Sequence, residues 1–269
     1  MSGAATARTR VGESFEAGFI GAPSRRLFAV RRAGPAPAAA FVLCPPFFHE
    51  QFLSYRLLSL TAARLAARGI ASLRFDYFGS GDSWGSEADF SLAGAIADTE
   101  TALAELAARL PGVPLRLLGA RAGAWPAATV AARHGLPLWL WQPLPDGAEW
   151  LRELDARDAA ERASRLRYPF LGRQPRPAEP DRLLAAFCPP ALREELAGVR
   201  LAEATRGAAG VVVVDAEHAP ALPGAARTLR LPAAAAAWHE EITMQATFVT
   251  PAIAACIDAL ADDVDGAAA

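Results

Sequence analysis

The sequence predicts an α/β protein whose central sheet is mostly parallel and carries helices on both faces. Short, continuously apolar runs alternate with longer amphipathic segments, the pattern of buried strands joined by crossover helices. From residue 114, an apolar run, a tight turn and an alanine-rich segment follow one another, and the turn holds Gly119 and Gly123. With 269 residues, 52% of them hydrophobic, the chain can bury one large core.

The predicted elements begin with an antiparallel hairpin, strands 15–20 and 26–31 around a Gly-Ala-Pro-Ser turn. Apolar runs predict further strands at 38–44, 70–76, 115–118, 136–141, 210–215 and 227–231. Helical spacing and end signals predict helices at 55–68, 92–110 and 251–261. A further helix is predicted directly after the turn that ends at Gly123.

The alternation of strand and helix breaks between residues 146 and 201, where no buried strand is predicted. This stretch holds a charged helical segment at 150–167, a proline-rich joint at 172–180 and a helix at 190–204. We therefore expect an α/β core formed by 11–145 and 202–262, a helical lid inserted at 146–201, and a disordered tail at 263–269.

Composition excludes several classes of function. A formal net charge of −2 gives no electrostatic reason to expect nucleic acid or an anionic membrane surface as partner. Three widely separated cysteines argue against a disulfide framework and a clustered metal site, and we predict no metal and no cofactor. Without a signal-like amino terminus or a spanning apolar run, the expectation is a cytoplasmic protein with no stable membrane insertion.

Several motifs resemble the α/β-hydrolase superfamily over about residues 41–261. The sequence LLGARAGA at 117–124 is similar to the nucleophile elbow, a strand–turn–helix unit with glycines at its first and fifth positions. The other matching segments are CPPFFHE at 44–50, placed as the oxyanion loop, RFDYFGSGDS at 74–83, and WH at 238–239 before the last helix. The resemblance implies an α/β-hydrolase fold with a helical lid.

A narrower resemblance is to the hydrolases associated with the exosortase A system. It is carried by the Pro-Pro-Phe loop that leads to Arg56, by LWQP at 140–143 with Gly147, and by PPAL at 189–192. It implies a setting alongside bacterial exopolysaccharide synthesis and protein sorting.

The elbow, residues 119–123, carries Arg121 where the family has its serine. A guanidinium stays protonated and has no usable lone pair, so Arg121 cannot perform serine chemistry. Because it stands at a helix amino terminus, it needs a carboxylate partner, for which Glu50, Asp76 and Glu217 are candidates. Two interpretations remain open: an anion site for a ligand, or a paired side chain that fills a dead pocket.

The resemblance makes His239 the general base; packing of Trp238 and His239 at a helix start is the structural alternative. For the acid, Glu217 is preferred to Asp146, and a solvated turn that serves no catalytic role is preferred to both. Since Pro45 and Pro46 lack an N–H, the oxyanion donors are predicted to be the amides of Ala122 and of Phe47 or Phe48.

The remaining candidates have simpler interpretations beside the functional ones. His49 and Glu50 are expected either at the pocket mouth, binding substrate, or as an exposed loop pair. Cys44, at the end of a strand beside the elbow, could be a displaced nucleophile, but a cysteine in an apolar strand is usually inert.

Two functions follow from these residues. The first is hydrolysis of a small ester, thioester or amide by a water that His239 activates, with Arg121 and the Ala122 amide holding an anionic group. The second is a pseudoenzyme that binds a ligand or acts as a scaffold. In both, the predicted partner is a small acyl or carboxylate-bearing molecule, and the oligomeric state stays open.

Overall fold

The computed structural model of the chain describes residues 5–8, 14–165, 175–233 and 250–266. His239, Trp238 and part of the proline-rich joint therefore lie outside the described residues. The strands are β1 (Ala5–Arg8), β2 (Ser14–Ile20), β3 (Leu27–Ala33), β4 (Ala39–Cys44), β5 (Ile70–Phe75), β6 (Leu115–Ala120), β7 (Leu138–Trp141), β8 (Arg182–Leu183), β9 (Ala186–Phe187), β10 (Val211–Ala216) and β11 (Arg227–Leu231). The helices are α1 (His49–Ala67), α2 (Leu92–Arg109), α3 (Ala124–His134), α4 (Gly147–Ala163), α5 (Pro190–Ala197), α6 (Leu201–Ala204) and α7 (Pro251–Gly266).

Nine of these strands form one sheet in the order β1-β2-β3-β5-β4-β6-β7-β10-β11. The pairs from β5 to β11 are parallel, whereas β1, β2 and β3 add to one edge in antiparallel fashion. This arrangement confirms the predicted fold class. Parallel strands bring their carboxyl ends to one edge of the sheet, which is where the elbow lies.

Both faces of the sheet are covered, and the strand sequences explain why. In β4, Ala40, Val42 and Cys44 pack into a core with α2 and α3. The alternate residues Ala39, Phe41 and Leu43 pack with α1 and α7 on the other face. A strand with two buried faces has to be apolar throughout, as the run at 39–44 is. Each large side chain buried in this way stabilises the fold by about 1.5–3 kcal/mol.

The segment between β7 and β10 holds α4, the β8–β9 hairpin, α5 and α6. Trp150, Leu151 and Leu154 of α4 are buried. The Glu195 carboxylate of α5 accepts hydrogen bonds from the amides of Leu92 and Ala93, at 2.9 and 2.8 Å, at the start of α2. The insertion is thereby bonded to the core, and its division from the core as a separate lid stays a prediction. None of the described helices is long and apolar enough to cross a bilayer.

Several predicted boundaries were wrong for identifiable reasons. Helix α1 begins at His49 rather than at residue 55, since its first turn is polar and shows no apolar period. The single helix predicted at 190–204 is two helices, which Gly198 at the carboxyl end of α5 separates. The short strands β1, β8 and β9 were missed, because their few residues show no apolar pattern.

The carboxyl-terminal tail was also placed too early. Helix α7 continues to Gly266, into the residues predicted to be disordered from 263. The tail was predicted because the last residues of a chain are commonly disordered unless tertiary contacts hold them. Val264 is buried against the core and the Asp263 carboxylate pairs with Arg227, two tertiary contacts that the sequence does not show.

The turn between β6 and α3 lies very close to neighbouring backbone segments. A Cβ atom at Gly123 would lie 2.2 Å from the carbonyl oxygen of Pro45 and 2.6 Å from that of Cys44. A Cβ at Gly119 would lie 2.6 Å from the Cα of Ala124. Both glycines are therefore required by space, which explains their spacing in the sequence.

We expect Gly123→Ala to lower the free energy of unfolding by about 2 kcal/mol or more, because rigid backbone atoms occupy the space that the new methyl group needs. The measurement is chemical denaturation with a circular dichroism readout. Gly34→Ala is the matched control, since nothing lies within 4 Å of a Cβ there. Equal stability of the two variants would contradict the close approach of the turn to the loop after β4.

Candidate functional site

Arg121 lies directly after β6, with a left-handed backbone conformation at φ 52°. It begins a short 3-10 turn, Arg121–Gly123, that leads into α3. Its side chain points to the start of α1, where the Arg121 Nε and Nη2 atoms each donate to one oxygen of the Glu50 carboxylate at 3.1 Å. The Nη1 atom also donates to the backbone oxygen of Gln142 at 3.3 Å. Of the three carboxylates considered as partners, the structure brings Glu50 to Arg121.

This ion pair is buried. The Glu50 side chain has 0% of its surface exposed and that of Arg121 has 12%. Glu50 lies in the first turn of α1, where the helix dipole favours a negative charge, while Arg121 lies where the dipole of α3 disfavours a positive one. The two-point contact with Glu50 compensates for that repulsion and satisfies both charges.

The other two carboxylates have different roles. Asp76 accepts hydrogen bonds from the Gln51 side chain at 3.0 Å and from the Asp82 amide at 2.9 Å, which shapes the glycine-rich loop. Burial raises the pKa of Asp76, although its hydrogen bonds oppose that shift. Glu217 is exposed to solvent beyond the end of β10.

Strained backbone is concentrated around the same edge of the sheet. Phe48, Arg121 and Gln142 have φ values of 56°, 52° and 44°, although none is glycine. They follow the adjacent strands β4, β6 and β7. A left-handed conformation of such residues costs about 1–3 kcal/mol each, and it persists where surrounding structure imposes it, most often at functional sites. The strain therefore marks this edge as the candidate site.

An apolar cavity of about 370 Å³ lies over the loop that follows β4. Its walls are that loop, the glycine-rich loop after β5, and the β8–β9 hairpin; the lining residues include Phe47, Phe48, His49, Gly79, Ser80, Gly81, Leu184 and Phe187. Among the described residues, neither Arg121 nor Glu50 lines it. The structure thus places His49 and Glu50 in different surroundings. His49 lines the cavity and accepts a hydrogen bond from Arg157 at 3.2 Å. Glu50 is buried against Arg121.

A second depression, of about 480 Å³, lies against β2, β3 and the end of α2. Its charged residues bond to one another: Glu16 pairs with Arg31 at 2.6 Å and with Arg109 at 3.5 Å. It is distant from the elbow and from the strained backbone, so we place the candidate site at the apolar cavity and the elbow.

Solved structures with a similar fold identify the architecture. The structure of DcsB in complex with its substrate analogue matches with a TM-score of 0.60 at 16% identity, over 94% of this chain and 98% of that one. Est1E from Butyrivibrio proteoclasticus, bound to ferulic acid, matches with 0.54 at 18% identity, over 80% and 88%. The mouse alpha/beta hydrolase domain-containing protein 10 matches with 0.52 at 15% identity, over 92% and 99%.

The chain has the α/β-hydrolase fold. Identities this low establish the fold and not the activity. No protein-family model and no curated protein sequence matches the chain.

Asp215, the penultimate residue of β10, is half-buried and close enough to Arg121 for their charges to interact. Burial raises the pKa of Asp215, while the Ala216 amide and the charge of Arg121 oppose that shift. Asp215 is thus a further carboxylate whose charge interacts with that of Arg121, and the role of Glu217 as the acid stays a prediction. Sequence reasoning passed over Asp215 because it lies within the strand run and not in the turn beyond it.

Asp146, the alternative acid, has a structural role instead. Its carboxylate caps α4 by accepting a hydrogen bond from the Glu149 amide at 3.0 Å, and it lies 3.2 Å from the Arg200 guanidinium. Helix capping by aspartate is common, and the alternative role of Asp146 as the acid stays a prediction.

The two residues whose amides are predicted to be oxyanion donors, Ala122 and Phe47, are both buried. Ala122 is completely buried behind the elbow, and Phe47 is buried in an aromatic group with Tyr77, Phe90 and Trp125. Whether the Ala122 and Phe47 amides bind an oxyanion stays a prediction.

The cysteine alternative is unfavourable on chemical grounds. Cys44 is fully buried, and burial raises the pKa of its thiol to about 12, with only weak opposition from the Thr99 hydroxyl. A thiol that stays protonated at neutral pH is a poor nucleophile. Within the described residues, no group of three or more metal-binding side chains occurs either.

We expect Arg121→Ser and Glu50→Gln each to lower the free energy of unfolding by about 3 kcal/mol, because each leaves a buried polar partner without its ion pair. The free energy of unfolding of the double variant should fall by clearly less than the sum of the two single losses. The measurement is a double-mutant cycle by chemical denaturation. Asp155→Asn, which breaks the exposed pair with Arg193, should change stability by less than about 0.5 kcal/mol. Additive losses would show that the two buried charges do not depend on each other.

The three cysteines, Cys44, Cys188 and Cys256, are free thiols and buried. We expect the folded protein to take up no iodoacetamide at Cys44 at neutral pH, because the thiol is both inaccessible and protonated. Denatured protein should be alkylated at all three positions, which mass spectrometry of the peptides would measure. Rapid alkylation of Cys44 in the folded protein would restore it as a nucleophile.

Proposed function

We propose that this protein uses the hydrolase fold to bind a small, largely apolar acyl or carboxylate-bearing ligand, without forming a covalent acyl-enzyme. The observation that carries the proposal is the buried Arg121–Glu50 pair at the position of the nucleophile. It corresponds to the pseudoenzyme interpretation of the sequence.

The described side chains near the elbow support a site that forms no acyl-enzyme. Arg121 has no lone pair to attack a carbonyl group. The nearby hydroxyl groups have structural roles: Ser80 donates to the Tyr77 carbonyl at 2.9 Å, and Ser83 donates to the Asp76 carbonyl at 2.6 Å. Both hydrogen bonds hold the glycine-rich loop in shape, as small polar residues commonly do in turns.

The apolar cavity supports ligand binding. Its volume of about 370 Å³ is within the range of small-molecule sites, and its lining is mainly aromatic and aliphatic. The separation of this cavity from Arg121 favours a ligand held by apolar contact over one whose charge is held by the guanidinium. Est1E, whose fold is similar, has been solved with ferulic acid bound, a ligand that combines an aromatic ring and a carboxyl group.

A second candidate is hydrolysis of an ester, thioester or amide by a water that His239 activates. It is favoured by Asp215, which lies at the end of β10 near the elbow, where an acid could orient that histidine. In this mechanism, Arg121 and the Ala122 amide would hold the anionic group of the substrate, so the Glu50 carboxylate would have to share its guanidinium.

The cellular setting is proposed from the narrower sequence resemblance. The Pro-Pro-Phe loop and the LWQP segment support a role beside bacterial exopolysaccharide and exosortase systems. The location proposed for this role is the cytoplasm, and the net charge of −2 supports a partner other than nucleic acid. Loss of exopolysaccharide export or of protein sorting on deletion of the gene would test this setting.

We expect no labelling by fluorophosphonate probes, which need an activated serine, and no burst of product with activated esters. The double variant Arg121→Ser with Glu50→Gln restores the alcohol without stranding a buried carboxylate, and a gain of labelling in it would show that the rest of the site is intact. In-gel fluorescence and intact-mass measurement report both results.

Two outcomes would decide between the candidates. If the native protein hydrolyses an ester and His239→Ala abolishes that activity, the water-activation mechanism replaces the binding proposal. Robust fluorophosphonate labelling of the native chain would overturn both.

A further inference from the structure

Two buried tryptophans beside the cavity differ in one respect. Trp125 of α3 and Trp150 of α4 each have 1% of their surface exposed, and their rings pack edge to face at 5.4 Å. The indole N–H of Trp125 donates to the carbonyl oxygen of Leu144 at 2.8 Å. The indole N–H of Trp150 has no hydrogen-bond partner in the part of the chain that the structure describes.

An indole N–H without an acceptor destabilises a fold, because the same group is hydrogen-bonded to water in the unfolded chain. Buried polar groups are therefore almost always paired, and an exception needs an explanation. Packing explains why the large ring is buried, but it does not account for the N–H that the ring carries. The N–H of Trp150 is thus a donor whose acceptor is not among the described residues.

Phe48 connects Trp150 to the cavity. Its ring stacks on the indole of Trp150, with centroids 5.7 Å apart and an angle of 4° between the planes. The same residue lines the apolar cavity. Its backbone is in the left-handed region, at φ 56°, so the position of this side chain is held at an energetic cost. Phe48 therefore contacts both the indole of Trp150 and the interior of the cavity.

We propose that the Trp150 N–H donates a hydrogen bond to an oxygen atom of the ligand, after the ring of Phe48 turns away. An indole is a donor only, so it selects a hydrogen-bond acceptor. The ligand is then an apolar molecule that carries a carboxylate or another carbonyl group. This inference rests on the proposed function, because it requires a ligand in the cavity.

Two probes of similar shape test the inference, 2-naphthoate with a carboxylate and 2-methylnaphthalene without one. Trp150→Phe should weaken binding of 2-naphthoate about tenfold and leave binding of 2-methylnaphthalene unchanged within about twofold. Trp125→Phe, the matched control, should change both affinities by the same factor, since its N–H already has a partner. Equilibrium titration of the naphthyl fluorescence measures all four values.

An equal loss for both probes in Trp150→Phe would overturn the hydrogen bond and leave the proposed function standing. Binding of neither probe by the native protein would overturn the proposed function and this inference with it.

Stability of the ligand-free protein gives an independent test. Both substitutions remove similar packing, but only Trp125→Phe breaks a hydrogen bond, so its Tm should lie about 2–4 °C below that of Trp150→Phe. Equal Tm values would show that the Trp150 N–H is bonded within the folded chain, and would overturn the inference.

Discussion

The ion pair between Arg121 and Glu50 is the interaction on which the character of the site depends. It puts a buried, two-point salt bridge at the turn where the sequence resemblance predicts a nucleophile. Its partners come from the turn after β6 and the first turn of α1, so it joins two sides of the site. A charge this deeply buried is tolerated only with its partner, so the pair and its surroundings have to be retained together.

The turn at 119–123 has the tight geometry that its two glycines predict. Arg121 keeps a left-handed backbone, and Gly119 and Gly123 keep the space that the sharp turn needs. Gly123 is required by the contact with the loop after β4 and Gly119 by the contact with the start of α3, so neither glycine depends on the side chain of Arg121. The same turn can therefore present an alcohol for attack or a guanidinium for pairing, while the sheet and its helices stay as they are.

The sequence predicted the fold well and the site only in part. Continuous apolar runs such as 39–44 predicted buried strands, since a strand covered on both faces leaves no polar positions. The start of helix α1 was misplaced, because its polar first turn shows no apolar period. The short strands of the insertion were missed, because two residues are too few to show a pattern. At the site, the charge of Arg121 predicted a carboxylate partner, but three carboxylates in distant parts of the chain satisfied that requirement equally.

The sequence by itself determined the α/β architecture, the tight turn at 119–123 and the absence of a serine from it, since each depends on residue type and local spacing. Only the tertiary structure decided that Glu50 rather than Asp76 or Glu217 pairs with Arg121, that Asp215 approaches the elbow, and that the indole of Trp150 is buried beside Phe48. The physical reason is that these relations join residues far apart in the chain. Their distances are set by how the helices pack on the sheet, which no local pattern encodes.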